Sequence, residues 1–459
     1  MNNEKFDWWL DQIASNPSVF REGKFGLEKE NLRIMKDGTL DHSDHPIKEE
    51  DPYFQQVVRD FSESQIEFIT KPLSTPLKAL EELRTIQDHV LENYDMRLWP
   101  FSMPCRIEDP SKIRIAEFPD TEAGRAARGY RELLAVKHGK KMQLISGVHY
   151  NFSFGDSFLS LFAENEPTQL SLKDKKSHLY FHVARNLLRH QWFLTYLFGA
   201  SPSVDVTYRR EVLERLQKIE CFCDCPYENH TYYEAHGVSL RMSRYGYHSD
   251  MQRQMKVSYN CLEDYIHYIR EGIHSGILQK ESEYYSPVRF KHSAGKPGEM
   301  LKTLETEGVE YIELRLFDLN PYDPYNVTEM QVYFTHLFMV YAAMIDSPLI
   351  DQAAMDRIYV NDQYVALFGR DPKTEIVCSD KKGTIKEFGG QLMSKLYRLA
   401  ELLDQGMENQ PYTDSVALAE TRMDNPMNLL SEQLTQSLLL EGISYVRQGI
   451  NLSHASERK

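Results

Sequence analysis

In the stretch Phe25-Gly-Leu-Glu-Lys-Glu-Asn-Leu-Arg-Ile34, alternate residues change character, and a β-strand turns that alternation into two opposed faces. Glu28 and Glu30 project from one face, while Phe25, Leu27 and Lys29 point to the other. Carboxylates one pleat apart lie roughly 6–7 Å from each other, a spacing suited to ligation of hard divalent cations. Taken alone, the pair would fit a solvated strand face equally well. Its weight comes from recurrence of the pattern on other expected strands.

On Gln65-Ile-Glu-Phe-Ile69, Gln65, Glu67 and Ile69 share a face, after a turn that begins at Asp60. Gln143 to Phe152 reads as one strand with Gln143, Ile145, Gly147, His149 and Asn151 on one side. Val238 to Ser243 alternates again, with Arg241 between Ser239 and Ser243. Tyr285 and Arg289 fall on one side of their segment. Val309 to Asp318 sets Tyr311, Glu313 and Arg315 against Ile312, Leu314 and Leu316. Between these strands lie helical periodicities over 3–14, 77–96, 122–139 and 174–198, and residues 327–456 are mostly helical. The expected fold is therefore α+β: a curved, mainly antiparallel sheet forming a cleft, with helices packed on its outer face. No repeat or flexible linker divides the chain. We expect one catalytic unit over 1–459, with a sheet-bearing core at about 20–330 and a helical C-terminal part at about 331–456.

Collected on the cleft face, Glu28, Glu30, Glu67 and Glu313, with Asp60 and His149 nearby, would repel one another severely. At 4 Å and an effective dielectric of 20, each carboxylate pair costs on the order of 4 kcal/mol. If they converge, divalent ions belong among them, and oxygen ligands with one imidazole favour Mg²⁺ or Mn²⁺ over zinc. Arg241, Arg289 and Arg315 on the same face add the positive charge that phosphoryl transfer needs. The chain lacks both G-x-x-x-x-G-K-[ST] and G-x-G-x-x-G. A nucleotide would then be held through its metal ions, as in a sheet-based ATP site of the glutamine-synthetase type. The net charge of −15 argues against a nucleic-acid surface. The acidic start Met1-Asn-Asn-Glu-Lys-Phe-Asp does not read as a signal peptide, and no run approaches the roughly 18 apolar residues of a membrane span. With six cysteines in the whole chain, a reducing cytoplasm is the expected compartment. Cys221, Cys223 and Cys225, with His230 close by, lack C-x₂-C spacing. A zinc site is not expected there, and a thiol or disulfide role stays open. Cys105 and Cys378 read as ordinary buried thiols.

Several of these segments carry a resemblance. Phe25 to Arg33, Asp60 to Thr70, Leu98-Trp-Pro-Phe-Ser-Met-Pro104, Ile145 to Phe152, Tyr196-Leu-Phe-Gly-Ala-Ser-Pro202 and Tyr311-Ile-Glu-Leu-Arg315 resemble bacterial glutamate–cysteine ligases, in family order. They are also similar to the ligase half of bifunctional glutathione-synthesising enzymes, whose second, ATP-grasp half is not expected in this chain. The resemblance implies ATP- and Mg²⁺-dependent formation of γ-glutamylcysteine through γ-glutamyl phosphate, the first step of glutathione synthesis. It implies metal ligation by Glu28, Glu30, Asp60, Glu67, His149 and Glu313, of which Glu67 and Glu313 also count as catalytic. Arg315 would stabilise the transferred phosphoryl group and Arg241 would bind the glutamate carboxylate. Tyr130, Leu134, Gln143, Ile145, Tyr247 and Tyr285 would line the cysteine site, and Arg289 would assist binding. The expected partners are glutamate, cysteine and ATP, with no membrane or nucleic acid, acting on a monomer. Ligation to another amine, or metal-dependent hydrolysis, are the rival readings.

Overall fold

The computed structural model describes residues 3–164, 169–219, 231–246, 255, 257–296 and 298–456. Its main sheet is built from β1 (Gly23–Ile34), β2 (Val57–Arg59), β3 (Gln65–Ile69), β4 (Arg97–Leu98) and β5 (Val148–Phe154). A small separate sheet follows, in which β8 (Thr231–Tyr233) lies between β6 (Ser203–Asp205) and β7 (Gln217–Ile219). The main sheet is completed by β9 (Val288–Lys291) and β10 (Tyr311–Phe317). Its order is β2-β3-β1-β5-β10-β9, with β4 also on β1, and every pairing is antiparallel.

Directly paired residues of an antiparallel sheet put their side chains on the same face. Register therefore sets Glu30 opposite Glu67, Glu28 opposite His149, and Glu313 between Asn151 and Arg289. The outer face is apolar apart from Lys29: Phe25, Leu27, Ile66, Phe68, Tyr150, Phe152, Ile312 and Leu314 are buried in one large core. That core is closed by the helices Pro76–Asn93, Leu172–Phe198 and Glu329–Met344, which pack on the strands and on each other. Their starts are capped by Thr75, Ser171 and Thr328, whose side chains accept backbone N–H groups that would otherwise lack partners.

Three local expectations change. Gln143 does not lie on a strand: Met142–Leu144 is a 3₁₀ turn, and β5 starts only at Val148. The Ser146 N–H is captured by the Ser102 carbonyl at 2.9 Å, which pulls the chain off the sheet before that point. Val238 to Ser243 is a single bridge, Ser201 to Ser239, followed by turns. There Ser243 Oγ donates to the Leu240 carbonyl at 2.8 Å, the local competition by which serine replaces a ladder. The helical C-terminal part also contains a hairpin, β11 (Glu375–Cys378) with β12 (Lys381–Thr384). Cys105 is buried, but Cys378 is only half-buried; these two and Cys261 are free thiols, and the Cys221–Cys225 cluster lies outside the described residues. Among the described residues, no helix is long and apolar enough to cross a membrane.

Candidate active site

The centre of the inner face is His149. Its Nδ1 lies 3.2 Å from Glu28 Oε2 and 3.7 Å from Glu313 Oε1, and its Nε2 lies 3.6 Å from Glu30 Oε1. Two sets could each hold a cation, Glu28–His149–Glu313 and Glu30–Glu67–His149, with ligand atoms in each set within 4.8 Å of one another. Asp60 falls in neither set, although its charge acts on both Glu30 and Glu67. Arg315 Nη1 donates to Glu313 Oε1 at 2.6 Å and sits 3.2 Å from His149 Nδ1. Asn151 Nδ2 donates to Glu28 Oε1 at 2.8 Å.

The electrostatics are uneven across this group. Burial, then the Asp60 charge, pushes the Glu30 carboxyl up to about 8. Burial followed by Asp60, Glu28 and Glu30 pushes Glu67 well above the ordinary carboxylate range, and burial also raises Asp60. Burial pulls His149 down to about 4, and Arg315 pulls the same way. Glu313 and Glu28 go the other way. For both, burial is the largest influence and raises the carboxyl, but it is outweighed, at Glu313 by Lys291, Arg315 and Arg289 and at Glu28 chiefly by the His149 hydrogen bond.

Among the described residues, Glu30 Oε2 and His149 Nε2 are buried without a hydrogen-bond partner. Orphaned acceptors of this kind are costly unless a ligand satisfies them. Four carboxylates and one imidazole, underprovided with protein donors, fit hard divalent cations such as Mg²⁺.

The remaining residues divide into those around this centre and those beside it. Arg241 is buried behind it, with Nη2 donating to the Arg315 carbonyl at 3.2 Å. Gly147 makes that possible, since a Cβ there would meet the Arg241 guanidinium at 2.3 Å. To one side, Tyr285 donates to Gln143 Oε1 at 3.2 Å, and the charges of Asp60 and Arg315 reach the Tyr285 hydroxyl. Tyr130 hydrogen-bonds Ser282 on the same side. Leu134 and Ile145 are buried in a second apolar cluster beneath it. Arg289 holds the Tyr284 and Ser282 carbonyls at 2.9 and 2.8 Å and lies 5.7 Å over the Tyr285 ring. Tyr247 lies outside the described residues.

Two residues were missed in the sequence. Lys291 Nζ pairs with Glu313 Oε2 at 3.1 Å, and its place two residues after Arg289 on the same strand face was a usable signal. Arg131 Nε donates to the Asp60 carbonyl at 2.5 Å; nothing local marks it. Beyond Lys291, at the β9 edge, opens a cavity of about 360 Å³ lined by Tyr265, Tyr284, Phe290, Lys291, Lys296 and Tyr311.

The same fold occurs in solved enzymes. A glutamate–cysteine ligase from Francisella tularensis, in complex with AMP, aligns with a TM-score of 0.83 at 27% identity, covering 95% of this chain and 88% of that one. A bifunctional glutathione synthetase from Pasteurella multocida aligns with a TM-score of 0.79 at 25% identity, over 99% of this chain and 54% of that one. A curated glutamate–cysteine ligase from Clostridium acetobutylicum is 35% identical over 95% of this chain and 96% of its own length. The protein is thus a ligase in class. The glutamate–cysteine ligase family model matches residues 10–365, and the chain belongs to that family.

Proposed function

We propose that this ligase joins the γ-carboxylate of L-glutamate to the amine of L-cysteine, using ATP and Mg²⁺, to give γ-glutamylcysteine, ADP and phosphate. The observation that carries the reading is the convergence of Glu28, Glu30, Glu67 and Glu313 on His149, with Arg315 and Lys291 on the same centre. Glu28 and Glu313 would hold one cation and Glu30, Glu67 and His149 Nε2 another, since a neutral imidazole has one lone pair to give, with Asp60 adding charge. Bound there, Mg²⁺ would supply positive charge to offset that of the phosphate groups.

The rest is the work of this chain's side chains. A γ-carboxylate oxygen of glutamate attacks the γ-phosphorus of ATP, ADP leaves, and γ-glutamyl phosphate forms. Arg315 faces the transferred group and offsets the charge spread over its oxygens. The cysteine amine then attacks the acyl carbon, loses a proton, and phosphate departs. Buried Arg241 would bind the glutamate carboxylate, while Tyr130, Leu134, Gln143, Ile145 and Tyr285 bound the acceptor side. The β9-edge cavity has the size and the aromatic and cationic lining for a nucleoside, next to Glu313. The AMP bound by the Francisella relative supports a nucleotide substrate. No nucleophilic side chain is required, because positioning and charge carry the chemistry. A reducing cytoplasm would keep both the thiol substrate and the free Cys105, Cys261 and Cys378 reduced.

The test is mass spectrometry of products after incubation with glutamate, MgATP and a mixture of amines that includes cysteine, run with and without ATP. An ATP-requiring γ-glutamylcysteine peak is expected. A different γ-glutamyl product would overturn the acceptor, and product formed without ATP would overturn the mechanism.

A further inference from the structure

The helix Glu122–His138 carries Tyr130 and Leu134 yet is poorly anchored by apolar packing. Gly124 and Leu134 are its buried residues, while Leu133 and Val136 are exposed. Its position is set by polar ties instead. At its C-terminal end the ties meet on Glu283, whose side chain is buried. Lys137 Nζ donates to Glu283 Oε1 at 2.5 Å, and His138 Nε2 lies 3.1 Å from the same oxygen. The other oxygen, Oε2, accepts the Gln279 N–H at 2.6 Å. Lys137 Nζ also donates to the Ile277 carbonyl at 2.5 Å. Cations in a last helical turn are favoured by the helix dipole as well as by the carboxylate.

Glu283 ends the 3₁₀ turn Glu281–Glu283 and stands two residues before Tyr285. The carbonyls on either side of it, Ser282 and Tyr284, are gripped by Arg289. Both walls of the acceptor pocket thus meet at one buried carboxylate. On one wall are Tyr130 and Leu134; on the other is Tyr285, bonded to Gln143.

We propose that Glu283 is a positioning residue of the acceptor pocket: by clasping Lys137 and His138, it fixes the spacing between the helix bearing Tyr130 and the loop bearing Tyr285. The inference rests on the reading of that pocket given above. Glu283 touches no substrate; it acts through the two walls. Neutralising it leaves the chemistry at His149 intact and loosens only the acceptor side.

The experiment compares wild type with Glu283→Gln, Lys137→Met and the conservative Lys137→Arg in two measurements. In steady-state kinetics, Glu283→Gln and Lys137→Met raise the acceptor KM on the order of tenfold, as loss of a charge-assisted contact that orders a pocket should, with KM for glutamate and ATP and kcat little changed. Lys137→Arg restores the acceptor KM. In hydrogen exchange without substrates, amides of 122–138 exchange faster in both charge-removing variants, while those of β1 and β5 do not. An unchanged acceptor KM in both variants overturns the proposal, as does a parallel rise in all three KM values with a lowered Tm, which marks a merely structural role. A wild type that forms no γ-glutamyl product defeats the functional reading instead. The exchange arm still decides the clasp in that case, because unchanged exchange at 122–138 overturns it.

Discussion

The two faces of β1 both bury charge, and they handle it differently. On the outer face, Lys29 is fully buried, donates to Gln87 Oε1, feels Asp323 and Asp88, and lies 4.8 Å over the Phe68 ring. Burial pulls its ammonium down to about 7. On the inner face, Glu30 is pushed up to about 8, and its Oε2 and the His149 Nε2 remain without partners among the described residues. The outer charge is completed by neighbouring protein groups. The inner set is left with like charges and few donors, which a bound cation would offset. A buried charge with its own partners marks structure, and a cluster of like charges lacking donors marks a binding site.

That contrast can be broken in order of expected effect. Glu67→Gln and Glu313→Gln should lower turnover by at least about a thousandfold, the scale of losing charge stabilisation at a reacting phosphoryl group. Glu67→Gln should do so without lowering Tm, because it relieves repulsion with Asp60, Glu28 and Glu30. Near-normal turnover in either variant would remove that residue from the cation site. Adding Mg²⁺ should raise Tm, by a linkage of about 2.7 kcal/mol at a hundred times Kd. Calorimetry should find this shift lost in Glu30→Gln and kept in Lys29→Met. Lys29→Met should cost about 2 kcal/mol of stability by orphaning Gln87, with kcat retained, as denaturant unfolding beside a turnover assay would read.

Smaller effects separate the acceptor side from the cation centre. Gln143→Ala removes the acceptor of the Tyr285 hydroxyl and should raise KM for cysteine more than KM for glutamate. Equal effects in steady-state kinetics would detach Gln143 from the pocket. The smallest effect is on acid stability. For Glu283, burial raises the carboxyl, but His138 and Lys137 outweigh it and hold the group at about 2 against an ordinary 4.5. The unfolded chain then binds the extra proton between these values, so this contribution is present above pH 4.5 and lost as pH falls toward 2. In acid titrations followed by circular dichroism, Glu283→Gln should lose stability less steeply through that window than wild type.

Legibility tracked how local the geometry was. Glu28, Glu30, Glu67, Glu313 and Arg315 lie on continuous strands, and a two-residue period assigns their faces without reference to the rest of the chain. The same period misled at Gln143 and Arg241. Ser102 and Ser243 capture backbone groups there and replace the expected strands with turns, yet both side chains still reach the site. Lys291 could have been read from Arg289. Glu283 could not, because its partners come from a helix that no strand pattern connects to it.

On the continuous strands, sequence alone determined which residues share a face and that too many carboxylates lay on one side, since both follow from side-chain alternation and charge. The tertiary structure decided that Glu30 meets Glu67, that His149 stands among the acids, that Gly147 yields its space to Arg241, and that Asp60 stays just outside the ligand sets. The contacts of Glu28 and Arg315 with His149 span 121 and 166 residues, and that of His138 with Glu283 spans 145. Register and loop docking over such separations are set by the packing of the whole core, so no local period encodes them.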